Sequence, residues 1–496
     1  MKAHSLLKLV VLFSIYLLVG TAGRLEAQDA SLLTDLRMSQ ASLTTSQNDA
    51  YQKFVNSGGY VSTETKFTQI GNLASVAASG NVRIAIGGTD ISFAAYDVSY
   101  NSEQDYSWYG RSAGGDDLLL VSKDGSRIGS ATIGSEQYEL LGLGSDVFAW
   151  MRINKESFSR YDCGVPDGSP SGPDGESGEL ADQTCRARIL VLYTAAAKAA
   201  TPDMTARINL AISQTNQALG NSQVPTSALR VELAHHQQFN FTESGNMQAD
   251  VSALANNASA QALRNQHFAD IVVLITNGNY GGTLGIVKAI GPSNNDAYTI
   301  VQTNAATSAY FTFSHEVAHL FGCRHNNDPN GTYEHGHNFN AGGLKKTIMN
   351  VLYEPEGGSR ILHYSNPDVK YQNVPTGVPN QRNNALKLKN TGCTVSGFRG
   401  EPGPPPFQAH ILNGYWGCAC AVKILQAGVT GGSAPFQYEW RTSVNGINWS
   451  PVLGTGQTFT VTLPCIETAQ YWVKLRVISS NGQVTETSRR IFVVQC

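Results

Sequence analysis

The chain has 496 residues, which corresponds to about three folding units rather than one compact domain. Lysine and arginine number 35 against 38 aspartates and glutamates, so the net charge of -3 excludes a basic surface for nucleic acid or for an anionic membrane. Hydrophobic residues make up 41% of the chain, a content that excludes intrinsic disorder.

Residues 1–27 have the features of a secretory signal peptide. Two lysines flank a short basic start, residues 9–20 form an apolar run, and small residues follow as far as Ala27. The alternative is a membrane anchor, which needs about 20 apolar residues to cross a bilayer. We therefore predict cleavage near Ala22 or Ala27, export of the chain, and no transmembrane segment.

Residues 28–163 favour a β-rich region. Alternating segments such as 91–100 and 147–153 are typical of strands, and turn signals separate them. This region contains no cluster of catalytic residue types. Residues 164–184 are then rich in Gly, Pro, Ser, Asp and Glu, which predicts an exposed linker that proteases cut easily.

Residues 185–400 alternate between strand and helix patterns. Such alternation predicts an α+β domain in which helices pack on a mixed five-stranded sheet. We predict strands at 188–193, 228–233, 270–275, 285–290 and 298–302, and helices at 201–219, 247–264 and 309–321.

Residues 401–406 are a proline-rich spacer, and the segment 407–496 reads as an all-β sandwich. Period-two alternation runs through the segment, and Asn445-Gly446 and Asn481-Gly482 are hairpin-type turns. We expect an immunoglobulin-like or PKD-like module whose partner is a surface, a carbohydrate or a protein.

The candidate catalytic and metal-ligating residues lie in one histidine motif. His315 and His319 are four residues apart, so on a helix both imidazoles face one ion. Glu316 lies beside that ion, where it can take a proton from water. Gly322 permits the turn that returns His325 as a third ligand. Three neutral imidazoles leave one position of a zinc ion open, as catalysis requires.

The extended motif resembles that of the metzincin zinc endopeptidases. Met349, within Thr-Ile-Met-Asn, matches the methionine turn of that clan. The similarity spans about residues 185–399 and is greatest to reprolysin-like (adamalysin-type) members and their bacterial relatives. Two positions depart from relatives in the clan, since Asn326 replaces an Asp common in reprolysins and Val351 replaces the Tyr of astacin-like members.

This resemblance implies a metzincin catalytic domain with an active-site helix. It also implies that Zn²⁺ and Glu316 hydrolyse protein or peptide substrates, and that an edge strand at 282–290 aligns them through Gly285, Ile286 and Val287. The pocket after the scissile bond is then walled by residues 350–356.

Cys163 allows two interpretations. Residues 160–167 are similar to the cysteine-switch segment of matrix metalloproteases, which makes 28–163 a prodomain and 164–184 its processing region. The alternative is a disulfide between Cys163 and Cys185, which the even cysteine count favours.

The remaining cysteines are assigned as follows. We expect Cys323 to pair with Cys393 and two bridges among Cys418, Cys420, Cys465 and Cys496.

Other polar clusters are weaker signals. Asn326, Asn327, Asp328 and Asn330 offer oxygen ligands for Ca²⁺, although a solvated turn explains them. His335 and His337 are candidates for a second ion, but surface or supporting roles are favoured. The alternative function is a surface adhesion protein with a non-catalytic zinc scaffold, which the presence of Glu316 argues against.

Overall fold

The computed structural model describes residues 32–57, 59–73, 81–86, 89–154, 162–164, 185–307, 310–351, 358–400, 407–413, 416–465 and 468–494. The predicted signal peptide, the proline-rich spacer and, apart from Gly164, the predicted linker lie outside these ranges. No helix in the described ranges combines the length and the hydropathy needed to span a membrane.

The N-terminal region is one antiparallel sheet, which we call the N-terminal sheet. Its strand order is β1-β2-β9-β8-β7-β6-β5-β4-β3, so most neighbours in the sheet are also neighbours in the chain. Helix α1 (Thr45–Asn56) packs on one face, and a short 3-10 turn precedes it at Gln40–Ser42. The strands are β1 Leu33–Asp35, β2 Tyr60–Ile70, β3 Asn81–Ile86, β4 Thr89–Ser102, β5 Asp105–Ser112, β6 Asp117–Lys123, β7 Ser126–Ile133, β8 Glu136–Gly144 and β9 Val147–Ile153.

Both faces of the N-terminal sheet are apolar because both are covered. In β6, Leu118 and Leu120 belong to the apolar cluster on one face, whereas Leu119 and Val121 belong to the cluster on the other. A strand buried on two faces reads as a continuous apolar run rather than as an alternation. The sheet is therefore an inner layer of the molecule.

The central domain (185–400) is built on a mixed sheet of order β10-β14-β15-β13-β11-β12. Neighbouring strands run parallel except β14 and β15, which pair antiparallel. Five strands come from residues 185–400, as predicted, and the sixth comes from the preceding region. The strands are β10 Asp162–Cys163, β11 Arg186–Tyr193, β12 Arg230–Gln238, β13 Ile271–Thr276, β14 Thr283–Val287 and β15 Tyr298–Gln302.

The helices of the central domain differ from the predicted ones in number and in bounds: Ala195–Ala200 and Asn384–Ser396 were not predicted, and the predicted helix 309–321 spans only Thr312–Leu320. The predicted helix 201–219 begins later, at Asp203, whose carboxylate accepts a hydrogen bond from the Ala206 N–H. The predicted helix 247–264 is two helices, because the Asn257 side chain caps a new one. The helices are α2 Ala195–Ala200, α3 Met204–Asn221, α4 Met247–Ala255, α5 Ala258–Gln266, α6 Thr312–Leu320 and α7 Asn384–Ser396.

Two apolar clusters sandwich the central sheet, with α3, α6 and α7 on one side and α4 and α5 on the other. A disulfide between Cys185 and Cys393 joins the start of β11 to α7. Short strands follow the histidine motif, namely β16 Asn338–Asn340, β17 Leu344–Lys346, β18 Ser359–Arg360, β19 Lys370–Tyr371 and β20 Val374–Pro375.

The described residues after 406, here called the C-terminal module, form sheets of order β21-β23-β25 and β22-β27-β26-β24. The two sheets share one apolar cluster that includes the fully buried Trp440. The sandwich and its immunoglobulin-like or PKD-like class stay predictions. The strands are β21 Gln408–Ile411, β22 Trp416–Cys418, β23 Val422–Thr430, β24 Gln437–Ser443, β25 Thr458–Thr462, β26 Thr468–Ile478 and β27 Val484–Val494.

Both predicted hairpin turns in the C-terminal module reverse the chain, one between two regular strands and one irregularly. Asn481-Gly482 joins β26 to β27, which pair antiparallel, and Gly482 has a φ of 83°. After Asn445-Gly446 the chain returns antiparallel to β24, where Gly454 bridges Trp440, and then continues to β25 in the other sheet. Cys420 pairs with Cys465, and Cys418 is also disulfide-bonded, while Cys496 lies outside the described residues.

Candidate metal centre

Helix α6 carries the histidine motif into the interior, since all of its residues are buried. The helix ends at Leu320, and Gly322 follows with a φ of 96°, in the left-handed region that favours glycine. A Cβ at position 322 would also lie 2.5 Å from the Lys387 side chain. Gly322 is therefore required by both backbone conformation and space, and its turn directs the chain back toward the helix.

The turn brings three imidazoles together. The Nε2 atom of His315 lies 3.1 Å from that of His319 and 3.0 Å from that of His325, and the Nε2 atoms of His319 and His325 are 3.1 Å apart. Tetrahedral zinc with its usual bond lengths to imidazole separates two such nitrogens by about 3.3 Å. The three histidines thus form the nearly equilateral triangle that one zinc ion needs.

Hydrogen bonds fix the tautomers of two of these rings. The Nδ1 atom of His315 is 2.7 Å from the Ile348 carbonyl, and that of His319 is 2.7 Å from the Cys323 carbonyl. A carbonyl oxygen only accepts, so each Nδ1 holds the proton and each Nε2 directs a lone pair at the centre. Converging lone pairs repel one another unless a cation lies between them, so this donor set fits zinc.

Burial keeps the imidazoles neutral. It lowers the pKa of His319 to about 4 and holds the pKa values of His315 and His325 well below the usual histidine range. The positive charge of the buried Arg360 lowers the pKa of His315 and His325 further. At neutral pH all three lone pairs are therefore available to a metal.

Glu316 lies against the backbone of β14. Its side chain is fully buried, and a Cβ at Gly285 would be only 2.5 Å from its Oε1 atom. Glu316 is not a member of the metal-ligating group that the described residues form. Its carboxylate is thus placed beside the centre, in space that only glycine at position 285 leaves open.

The methionine turn lies beneath the histidines. Met349 is fully buried in the apolar cluster that also contains residues of α6, and the neighbouring Ile348 supplies the carbonyl that orients His315. Asn326, one of the two departures from relatives in the clan, accepts a hydrogen bond from the Val351 N–H at 3.0 Å. Sequence reasoning missed this role, in which Asn326 ties the third histidine's segment to the turn.

A fourth ligand-type atom comes from the N-terminal region. The Sγ atom of Cys163 is 3.6 Å from His319 Nε2, and the four ligand atoms lie within 4.8 Å of one another. A zinc ion with usual bond lengths would separate a thiolate sulfur from an imidazole nitrogen by about 3.6 Å. Cys163 therefore lies close enough to the three histidines to be a candidate fourth ligand.

Backbone pairing holds Cys163 in this position. Strand β10 runs parallel to β14 with Cys163 opposite Gly285, and the Gly164 N–H donates to the Gly285 carbonyl at 2.9 Å. Gly285, Ile286 and Val287 pair with β15 on their other side. The predicted substrate strand, β14, is thus the second strand of the sheet. The edge strand is β10, which occupies the side of β14 where a substrate would pair.

Two predicted disulfides are wrong. Cys185 pairs with Cys393, which leaves neither residue for the predicted bonds to Cys163 and Cys323. Cys323 is fully buried, its Sγ atom lies 3.7 Å from the Asn384 carbonyl, and burial raises the pKa of its thiol. Cysteine parity could not distinguish these pairings, because it carries no information on which β-strands meet.

The weaker clusters serve as structural supports. Asp328 accepts hydrogen bonds from Arg324 at 2.7 Å and from the Asn330 N–H at 2.8 Å, so its carboxylate is engaged within the turn. The His335 ring is 2.9 Å from the carbonyl of His325. In the described part of the chain, neither the asparagine cluster nor His335 and His337 join a metal-ligating group.

Comparisons with known proteins agree with this site. Residues 182–365 match the model of the Reprolysin_5 family, described as metallo-peptidase family M12. A peptidyl-Asp metalloendopeptidase of Stenotrophomonas maltophilia is 34% identical over 227 residues, which are 43% of this chain and 52% of the relative. One of Xanthomonas campestris is 31% identical over 225 residues, with the same coverage. The chain spans about half the length of these curated relatives.

A solved structure, metalloproteinase-II from Bacteroides fragilis, gives a TM-score of 0.38 at 10% identity over 58% of this chain and 88% of that chain. That likeness is too low to support an argument. The family match contains the three histidines, Glu316 and Met349. Residues 182–365 are therefore similar to the reprolysin-like metallopeptidase domains of family M12.

Proposed function

We propose that the protein is an exported zinc endopeptidase that is made as a latent precursor. The observation that carries this proposal is the convergence of three Nε2 atoms within 3.1 Å of one another beside the buried carboxylate of Glu316. A scaffold that only adheres to surfaces has no need of a carboxylate in that position. The predicted signal peptide and the disulfides support export.

Each part of the site has a distinct task. Zinc held by the three histidines would supply Lewis acidity, which polarises a peptide carbonyl and makes a water acidic. Glu316 takes the proton from that water and returns it to the leaving amine. The Nδ1 hydrogen bonds of His315 and His319 keep the rings oriented. The backbone of β14 pairs with an extended substrate once β10 has left.

Latency follows from what β10 occupies. The Cys163 thiolate takes the position that water needs, and the pairing of Cys163 with Gly285 covers the strand that substrate needs. We propose that residues 28–163 are the prodomain and that processing occurs within 164–184. Cutting there breaks the covalent link between β10 and the central domain, so that β10 can leave once the N-terminal fragment dissociates.

We also propose a preference for aspartate next to the scissile bond. The matched relatives carry the name peptidyl-Asp metalloendopeptidase. In this chain, the buried Arg360 side chain donates hydrogen bonds to the Asn350 and Tyr310 carbonyls, at the start of the predicted pocket wall. Its positive charge would favour a carboxylate in that pocket.

The first experiment tests the activity itself. The full chain, carrying a recognition sequence for a site-specific protease within residues 165–184, is cut, separated from its N-terminal fragment and then assayed on denatured casein; this preparation is called the cut chain below. We expect cleavage that a chelator abolishes and that Glu316→Gln lowers by at least about a hundredfold. Equal activity of the parent and the Glu316→Gln variant would refute the role of Glu316, and casein binding without cleavage would favour the adhesion alternative.

A second experiment tests the preference with matched peptides that differ only by Asp or Asn beside the scissile bond. We expect the parent to favour the Asp peptide by about tenfold or more in kcat/KM, and Arg360→Gln to reduce that ratio to about one. If Arg360 has only a structural role, Arg360→Gln should lower kcat/KM equally for both peptides. That result would refute the preference while leaving the endopeptidase proposal intact.

A further inference from the structure

The C-terminal module packs on the N-terminal sheet. Ile447 and Trp472 of the module belong to the same apolar cluster as Val98 and Trp108 of the sheet, and Trp472 is only 2% exposed. At Gly446, an added Cβ would lie 3.3 Å from the Val98 Cβ. The two surfaces thus meet closely at position 446.

A buried cation lies at the centre of this contact. Arg490 of β27 stacks on the ring of Tyr96 in β4, with 3.8 Å between the guanidinium carbon and the ring centroid, and it donates to the Ala95 carbonyl at 3.3 Å. Its guanidinium carbon is also 4.0 Å from the ring centroid of Phe492. Arg490 is 8% exposed, and a buried cation of this kind needs the aromatic faces that enclose it.

The other face of the N-terminal sheet contacts the central domain. Glu139 of β8 is fully buried, accepts a hydrogen bond from Thr307 at 2.7 Å, and lies 3.7 Å from the Arg207 guanidinium of α3. Arg207 in turn donates to Thr307 at 2.7 Å and to Tyr60 at 3.3 Å. The sheet is therefore held on both faces by parts of the chain that follow residue 184.

We infer that the C-terminal module is a clasp whose partner is the N-terminal sheet of the same chain. After a cut within 165–184, the sheet stays bound because the module and the central domain grip its two faces. We expect the retained sheet to prolong latency after the cut; this consequence rests on the proposed function, whereas retention of the sheet does not. The vacated face of the module is exposed only after the sheet has left.

The test measures release of the N-terminal fragment, so its readout does not depend on peptidase activity. The full chain is immobilised through a C-terminal tag and carries the engineered cut site. It also carries Glu316→Gln to prevent self-digestion and Cys163→Ala so that no metal–thiolate bond retains the fragment. After the cut, the fragment in the eluate is followed with time.

We expect the parent to retain the fragment. Arg490→Met and Tyr96→Leu should each raise the rate of fragment release by at least about tenfold. The double variant should release the fragment within about twofold of the rate of the faster single variant, because both changes break the same contact. Arg489→Met is the matched control, because Arg489 is the next residue of β27 and donates to Asn413 within the module. It should release the fragment at the parent rate.

Three outcomes would overturn the clasp. They are immediate release from the parent, a parent-like rate in Arg490→Met, and additive effects in the combined variant. Near-ultraviolet circular dichroism checks that each module remains folded. Since Tyr96 lies on the opposite side of the contact, Tyr96→Leu keeps the test valid if Arg490→Met unfolds the module.

Discussion

The metal centre has two halves of different origin. The catalytic half, made of the three histidines and Glu316, comes from α6 and the turn that follows it. The latch half is the two-residue strand β10, whose Cys163 lies 156 residues before His319 in the chain. Helix periodicity and one glycine fix the first half, whereas sheet pairing fixes the second. We therefore expect the proposed catalytic chemistry to depend on local sequence and the proposed inhibition to depend on tertiary structure.

The most severe change breaks the catalytic half. We expect His325→Ala to remove one of three imidazoles and to abolish measurable cleavage by the cut chain, because two imidazoles hold zinc poorly. Metal analysis of the purified protein should show zinc well below one equivalent. His337→Ala is the control, since His337 is outside the ligating group, and an equal loss of zinc in both variants would contradict the assignment.

A change at Gly285 affects both halves, because Glu316 and Cys163 meet there. We expect Gly285→Ala to lower kcat/KM of the cut chain by about tenfold or more, since its Cβ would lie 2.5 Å from Glu316 Oε1. Zinc content should stay unchanged. Gly220→Ala has no heavy atom within 4 Å of its added Cβ, so it should keep full activity. Parent-like activity of Gly285→Ala would refute the placement of Glu316.

Breaking the latch half should increase activity instead. In the uncut chain we expect Cys163→Ala to raise basal cleavage of a short peptide by roughly fivefold or more, because water can then enter the fourth position. Covalent modification of the thiol should act in the same direction. Unchanged latency would show that β10 pairing alone inhibits the enzyme, and that the thiolate contributes nothing.

The smallest effect distinguishes Cys323 from Cys163. Cys323 lies inside the motif but is buried in the apolar cluster, so Cys323→Ala should change basal activity by less than about twofold. The expected cost is a modest loss of thermal stability from the cavity. An activation as large as that of Cys163→Ala would mean that general loosening, and not removal of a ligand, relieves latency.

The sequence predicted the parts of this site that depend on short-range order. The four-residue spacing of His315 and His319 and the glycine at 322 were sufficient, because a helix and one left-handed residue determine where His325 returns. Five strands of the central sheet were also predicted, since strands buried on both faces have long apolar runs.

Long-range pairing was not predictable in the same way. Nothing in residues 160–167 specifies that Cys163 lies opposite Gly285, and a count of cysteines cannot separate a bond to Cys185 from one between Cys185 and Cys393. Asn445-Gly446 illustrates the same limit, because a turn signal gives the local bend but not the sheet that the next strand joins.

The disulfide between Cys185 and Cys393 has a consequence for the processed protein. Any new amino terminus created within 165–184 lies at most 20 residues before a covalent crosslink to α7. Trimming by aminopeptidases or local fraying would therefore stop at β11, the strand that pairs with both β12 and β13. Imprecise processing should thus yield forms with ragged ends but one common folded domain.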